Sequence, residues 1–161
     1  NSASGAAQRA AREGIPFRHL SGKTHPSPED LDRAIRDALV EHEVDLVVLV
    51  GYMKRLGPLT IEQFAGRIIN THPALLPKFG GQGMYGGHVH EAVIAAGERE
   101  TGITIHVVND EYDRGPIIAK WRMPVASDDT PDSWAEKLWP NGDQFLVETL
   151  GKIVSGEIRL P

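Results

Sequence analysis

Hydrophobic and polar positions along the chain alternate between helical and extended periods, and punctuation residues mark most of the changes. Ser4 to Glu13 is Ala-rich with Arg and Glu and runs into Gly14, which predicts a helix with a left-handed stop. Pro16 to Leu20 reads as extended and Ser21 to Ser27 as a polar loop. Ser27-Pro28 is a cap followed by Pro at the first helical position, and Leu31, Ala34, Ile35, Ala38 and Leu39 then fall on one helical face. Asp45 to Gly51 is almost continuously apolar and β-branched, as expected of a parallel strand covered on both faces. A short helix is predicted over Leu59 to Phe64, a strand over Gly66 to Asn70 and a long Gly- and Pro-containing loop over Pro73 to Gly87. A helix over His88 to Ala96 closes at Gly97, and Thr101 to Val108 alternates like a half-buried strand. After an acidic loop, Asn109 to Arg114, Pro116 to Val125 forms a further strand with Trp121 and Met123 on one side. Thr130-Pro131 opens a last helix, which Trp139-Pro140-Asn141-Gly142 is expected to break before a second piece from Gln144 to Val154.

Strands interleaved with helices in this order predict an α/β domain, a mostly parallel sheet with helices on both faces, related to the doubly wound class. The 161 residues fit a single domain spanning 1–161. A net charge of -5 with no basic run argues against nucleic acid as a partner. The absence of cysteine removes disulfides, thiolate nucleophiles and thiolate metal sites, and suits a reducing cytoplasm. The longest apolar run, Val44 to Val50, is interrupted by Asp45 and too short to cross a bilayer, so no membrane partner is expected.

Asn70 and His72 lie two apart on an extended segment, so their side chains share a face. They sit where a strand ends, the edge at which open α/β sheets bind ligands. An amide N–H and an imidazolium N–H together can hold an oxyanion developing on a carbonyl; a pair that only ties down a loop fits the chemistry equally. Asp113, before the Gly115-Pro116 turn, is a rigidly placed carboxylate that beside His72 would raise the imidazole pKa and keep it protonated; alone, the motif reads more readily as a solvated acidic turn. His88 and His90 invite a zinc reading, but they flank a helix start and read better as capping or packing residues, so no metal is expected. His106 reads as a satisfied, half-buried strand histidine. Gly80 to Gly87 lacks the Lys-Ser or Lys-Thr of a nucleotide loop and reads as a flap near a site.

Four blocks, Gly51-Tyr52-Met53-Lys54-Arg55-Leu56, Asn70-Thr71-His72-Pro73-Ala74-Leu75-Leu76-Pro77-Lys78-Phe79, Thr101-Gly102-Ile103-Thr104-Ile105-His106 and Asp113-Arg114-Gly115-Pro116-Ile117-Ile118, run in this order over most of the chain. Together they resemble the phosphoribosylglycinamide formyltransferases, the folate-dependent enzymes of purine synthesis. The resemblance implies a Rossmann-like fold and Asn70, His72 and Asp113 as the catalytic trio. It implies a 10-formyltetrahydrofolate pocket lined by Tyr52, Met53, Lys54, Arg55, Leu56, Asn109, Asp110 and Glu111, with apolar residues around Leu56, Phe64 and Ile69 beneath the pterin. Gly51 and Met53 match positions near the glycinamide ribonucleotide acceptor. Reduced folate and that ribonucleotide are the implied small-molecule partners, no metal is implied, and a homodimer is compatible with the pattern.

The chain departs from the family in three places. The family's opening strand, phosphate loop, helix and second strand are absent before Gly14, so the chain reads as N-terminally truncated, with an unpaired edge expected on Asp45 to Val50. In the last helix Gly142 falls where the family places a Glu facing the substrate amine, with Asp143 as the nearest substitute, and Pro28 falls at a phosphate-contacting Arg position. Alternative readings are a formyltetrahydrofolate hydrolase or another formyl transfer with the same trio, and an inactive folate-binding fragment. Pro73 leans against the hydrolase, which usually carries a second His there.

Overall fold

The structure is a computed structural model that describes residues 4–161. The chain divides into two compact units: one holds the residues up to Asp45 together with Leu56–Gln63, the other Leu46–Arg55 and Phe64–Pro161.

The first unit contains α1 (Gly5–Arg12), α2 (Pro28–Glu41) and α3 (Pro58–Gln63). The expected Ser27 cap is present, and Ser4 supplies a further one that the pattern did not announce. The Ser4 side chain accepts from the Ala7 N–H, and Ser27 accepts from Asp30 ahead of Pro28. Gly14 takes the predicted left-handed φ, 66°. The unit is pinned by Asp32, whose buried carboxylate accepts from the N–H groups of Leu59 (2.8 Å) and Thr60 (3.1 Å) and from the Thr60 hydroxyl (2.6 Å). The carboxylate thus satisfies the orphan donors at the start of α3. A Cβ at Gly57 would lie 2.1 Å from Asp32 Cγ, so glycine there makes room for the carboxylate.

The second unit is built on β1 (Val47–Leu49), β2 (Ile68–His72), β3 (Glu100–Val107) and β4 (Ile117–Pro124), in the order β1-β2-β3-β4, with α4 (Gly87–Ala95) and α5 (Pro131–Val154). The α/β class is as expected, but the sheet is mixed: β1 and β2 are parallel, while β2–β3 and β3–β4 are antiparallel. β1 is three residues long, Val48 and Leu49 are only half-buried and Val50 is exposed, because among the described residues β1 has a neighbour on one side only. β3 corrects its half-buried expectation. It is flanked on both sides, and Thr101 through Val107 are all buried, polar positions included. Its odd positions face α5: Ile105 and Val107, with Ile69, pack on Phe145, Leu146, Leu150 and Ile153, while Ile103 packs on Trp134 and Leu138. Trp121 and Met123 join the Ile103 cluster, on one side as expected. The even positions carry Thr104 and His106 to the opposite face.

α5 runs unbroken through Pro140, against the predicted interruption. Pro140 cannot donate to the Glu136 carbonyl, a loss of about 3 kcal/mol in a helix interior. The apolar face on both sides of it compensates: Trp134 and Leu138 are fully buried, and each such side chain contributes about 1.5–3 kcal/mol. Asn141 adds a side-chain donor to the Lys137 carbonyl at 2.8 Å. Replacing Pro140 by Ala should therefore stabilise the protein, by up to about 3 kcal/mol; a raised urea midpoint at unchanged m-value is the expected result, and no increase would mean that the helix has adapted to the ring.

Candidate active site

β2 and β3 pair with Asn70 opposite His106 and His72 opposite Thr104. Side chains directly opposite in a ladder share a face, so one face of the sheet presents Asn70, His72, Thr104 and His106 together. Thr104 is absorbed structurally: its hydroxyl donates to the Ala74 carbonyl (2.7 Å) and accepts from the Leu76 N–H (3.0 Å), fastening the segment after His72 to the sheet.

Asp113 arrives from the turn between β3 and β4. A bulge between Ile105 and His106 shifts the β3–β4 register and starts the turn. Gly115 closes it, for a Cβ there would lie 1.8 Å from the Val107 carbonyl oxygen. Asp113 itself takes the left-handed conformation, φ 54°, which Asp tolerates better than most residues. Its Oδ2 accepts from the Gly81 N–H at 2.9 Å and lies 3.6 Å from His72 Nδ1, and its Oδ1 lies 3.5 Å from His106 Nε2. The carboxylate thus sits between two buried imidazoles under the Gly80-Gly81 loop.

The sequence-predicted trio is therefore gathered in one place, with His106 as a fourth member that the strand pattern reads only as satisfied. His106 Nδ1 is 3.0 Å from the Val107 carbonyl, and Nε2 is 3.2 Å from Asn70 Nδ2. With Nδ1–H donating to Val107, Nε2 is free to accept one Asn70 amide hydrogen, which fixes the amide plane and leaves its second N–H available. The signal that finds His106 is its register: it is the polar residue opposite Asn70.

His72 differs from expectation. Its Nε2 lies 2.7 Å from the Phe79 carbonyl, so Nε2–H donates there and an unprotonated Nδ1 faces Asp113. Burial lowers its pKa, and this outweighs the raising effects of Asp113 and of the Phe79 hydrogen bond; nearby His106 lowers it further. The carboxylate does act in the expected direction but does not keep His72 charged in the free protein. For Asp113, burial by itself raises the pKa, but the His106 contact, the Gly81 N–H and the charges of the two histidines outweigh it, so the group is held below the ordinary carboxylate value.

The remaining predicted residues divide. Arg55 donates to the Asp110 carbonyl and its guanidinium lies 5.6 Å from the Tyr112 ring centroid, so the segment after β1 meets the acidic turn. The Asn109 side chain accepts from the Glu111 N–H at 3.0 Å. Gly51, Tyr52, Met53, Lys54, Asp110 and Glu111 are exposed, whereas Leu56 is a buried core side chain. His88 and His90 do not converge: His88 is exposed, edge-on to Tyr85, and His90 is buried against Trp139 with neither ring nitrogen hydrogen-bonded. Position 142 faces the sheet, where a Cβ would lie 2.6 Å from Ile103 Cδ1, whereas Asp143 is exposed on another side of α5. Asp143 therefore does not take over a carboxylate role at 142.

The Formyl transferase family model matches residues 1–150. Over 156 residues the chain is 40% identical to the chloroplastic phosphoribosylglycinamide formyltransferase of Arabidopsis thaliana, covering 96% of this chain and 53% of that protein. Over 152 residues it is 40% identical to the phosphoribosylglycinamide formyltransferase of Haemophilus influenzae, covering 94% of this chain and 69% of that one. The crystal structure of phosphoribosylglycinamide formyltransferase from Bacillus halodurans superposes with a TM-score of 0.87 at 35% identity, covering 96% of this chain and 77% of that chain. The chain spans about half the length of the plant relatives it matches.

The buried imidazole makes stability depend on acid. His72 has a lower pKa folded than its unfolded value near 6.5, so the unfolded chain binds the proton first as pH drops. The stability contributed by neutral His72 is fully present above about pH 6.5 and is lost as pH falls towards and through the folded value; Asp113, also lowered, adds the same sign below the carboxylate range. Urea midpoints should decline from pH 7 to pH 5, and more shallowly in His72→Gln. His90 is lowered by burial too, so part of the slope should survive; an identical slope in His72→Gln would contradict the assignment.

Proposed function

The chain belongs to the formyl transferase family, and on that premise we propose that it transfers a formyl group from 10-formyltetrahydrofolate to the amine of glycinamide ribonucleotide, a step of purine synthesis. The observation that carries this reading is the half-occupied amide of Asn70. With His106 Nε2 unprotonated, one N–H donates to His106 and the other is left at the carboxyl end of β2, beside His72 and Asp113.

In the proposed reaction the acceptor amine attacks the formyl carbon, and the carbonyl oxygen becomes an oxyanion. Asn70 Nδ2–H donates to that oxygen. His72 supplies the second donor once Nε2–H leaves the Phe79 carbonyl, so the substrate oxygen takes the place that Phe79 holds in the free protein. Negative charge on the substrate beside the ring favours imidazolium, and Nδ1–H can then close on Asp113, whose lowered pKa keeps it ionised to receive it. Collapse of the intermediate breaks the bond from carbon to the folate nitrogen. The proton lost by the attacking amine ends on that nitrogen, relayed between Asp113 and His72 directly or through water.

Tyr52 to Arg55 and Asn109 to Glu111 are proposed to line the folate pocket; the link from Arg55 to Asp110 supports treating the two segments as one wall. Leu56 would contribute from the core rather than by side-chain contact. Gly51 and Met53 are proposed to meet the acceptor. The lack of cysteine favours the cytoplasm as the working compartment, and no helix among the described residues is long and apolar enough to cross a membrane.

The test is formyl transfer from 10-formyltetrahydrofolate with and without glycinamide ribonucleotide. Acceptor-dependent product is expected; formyl loss independent of acceptor would replace transfer by hydrolysis. Loss of one oxyanion donor costs roughly 10²–10³ in rate, so Asn70→Ala should lower kcat by about that factor at unchanged circular dichroism. A rate within twofold of the parent would remove Asn70 from the mechanism. His106→Phe, which leaves the Asn70 amide without its acceptor, should lower kcat more than it raises KM, by a smaller factor than Asn70→Ala.

A further inference from the structure

β4 lies at the edge of the sheet, and a lysine on an edge strand ordinarily stands in water as a guard against further pairing. Lys120 is placed differently. It pairs with Thr104, which pairs in turn with His72, so the three residues form a row on one face of the sheet. The chain after His72 turns back over this row. Lys120 Nζ meets it there and donates to the Leu76 carbonyl at 2.6 Å.

Leu76 is thereby fastened through both of its backbone groups. Its N–H donates to the Thr104 hydroxyl at 3.0 Å, and that hydroxyl donates to the Ala74 carbonyl at 2.7 Å. Thr104 grips the segment from beneath, within the buried strand β3. Lys120 closes the grip from the edge with a charged donor, which makes a stronger hydrogen bond than a neutral one.

From Leu76 the contacts lead directly to the catalytic groups. The Leu76 side chain is buried. A Cβ at Gly80 would lie 2.4 Å from Leu76 Cδ2 and 3.2 Å from Asp113 Cβ, so the Gly80 backbone is wedged between Leu76 and the stem of Asp113. The residues on either side of Gly80 hold the two partners of the proposed proton relay. The Phe79 carbonyl accepts from His72 Nε2–H at 2.7 Å, and the Gly81 N–H donates to Asp113 Oδ2 at 2.9 Å. Close packing leaves no slack between Leu76 and this turn, so a displacement of one is passed to the other.

We propose that Lys120 is a positioning residue for His72 and Asp113, acting through Leu76 and the turn from Phe79 to Gly81. Its catalytic meaning rests on the proposed formyl transfer, whereas the anchor itself belongs to the free protein. Without the ammonium the Leu76 carbonyl loses its edge tether, and the buried Thr104 contacts remain. The turn then loosens over His72 and Asp113 while the sheet beneath stays paired. Lys120 is exposed, so its substitution does not open the core.

The test follows the hydrogen-bonded ring protons of His72 and His106 by proton NMR in the whole chain. In Lys120→Met the His72 Nε2–H should exchange with water roughly tenfold faster, the scale of one charge-assisted hydrogen bond. The His106 Nδ1–H, bonded to the Val107 carbonyl within β3, should keep its parent rate. Arg122→Gln removes a charge two residues along β4 and breaks only the pair with Glu100, so it should leave both protons as in the parent. In the formyl-transfer assay kcat of Lys120→Met should fall, by a smaller factor than in Asn70→Ala. Parent exchange at His72 in Lys120→Met, equal acceleration at His106, or the same effect in Arg122→Gln would each overturn the proposal. Faster exchange at unchanged kcat would also overturn it, by making Lys120 a structural tether alone. If the parent shows no formyl transfer and the exchange effect is present, the proposed reaction fails and the anchor stands.

Discussion

The pairing of β2 with β3 is the constraint on which the site rests. The register that sets Asn70 opposite His106 sets His72 opposite Thr104 in the same stroke, because side chains on a strand repeat every second residue. A slip by one residue would exchange these four polar groups with Ile69, Ile103, Ile105 and Val107, which α5 buries. The hydrophobic face against α5 thus specifies the polar face indirectly: the helix packs on the other side of the sheet, yet it makes the wrong register prohibitively costly.

On that face the network is satisfied in a particular sense. Each imidazole has a carbonyl for one nitrogen, Val107 for His106 and Phe79 for His72, and the second nitrogens turn towards Asn70 and Asp113. The arrangement suits a neutral His106; at His72 an unprotonated Nδ1 faces the carboxylate across 3.6 Å, and burial still outweighs the pull of that charge towards the imidazolium. Phe79 holds this state with a left-handed backbone, φ 56°, an uncommon conformation for a side-chain-bearing residue. This arrangement is therefore closed over the His72 N–H that the proposed reaction would use.

Much of this was legible in the chain. Ser27-Pro28 and Thr130-Pro131 announce their helices because a cap and a fixed φ are local matters, settled within four residues. Asn70 and His72 announce a shared face because two-residue spacing in a strand is also local. What was not legible depended on partners distant in sequence. The pattern of β3 suggests one wet face, and only its position between β2 and β4 buries His106 and Thr104. The effect of Asp113 on His72 has the expected sign, but its rank against desolvation depends on the loop that covers both. Pro140 was a sound local reason to end a helix, overruled by the side chains that the helix lays on the sheet on either side of it.

Pro140 removes one rung from the backbone ladder of a 24-residue helix, at the Glu136 carbonyl. The segment before it is moored through Trp134 and Leu138 to Ile103, and the segment after it through Phe145, Leu146, Leu150 and Ile153 to the cluster of Ile69, Ile105 and Val107. The helix is continuous in shape, and Phe145 and position 142 set its second half on the same Ile103 cluster that moors the first, so side-chain packing bridges the missing rung. Proline costs the helix a backbone bond but not its mooring, and the strands that carry Asn70 and His106 stay backed by one helix on both sides of the ring.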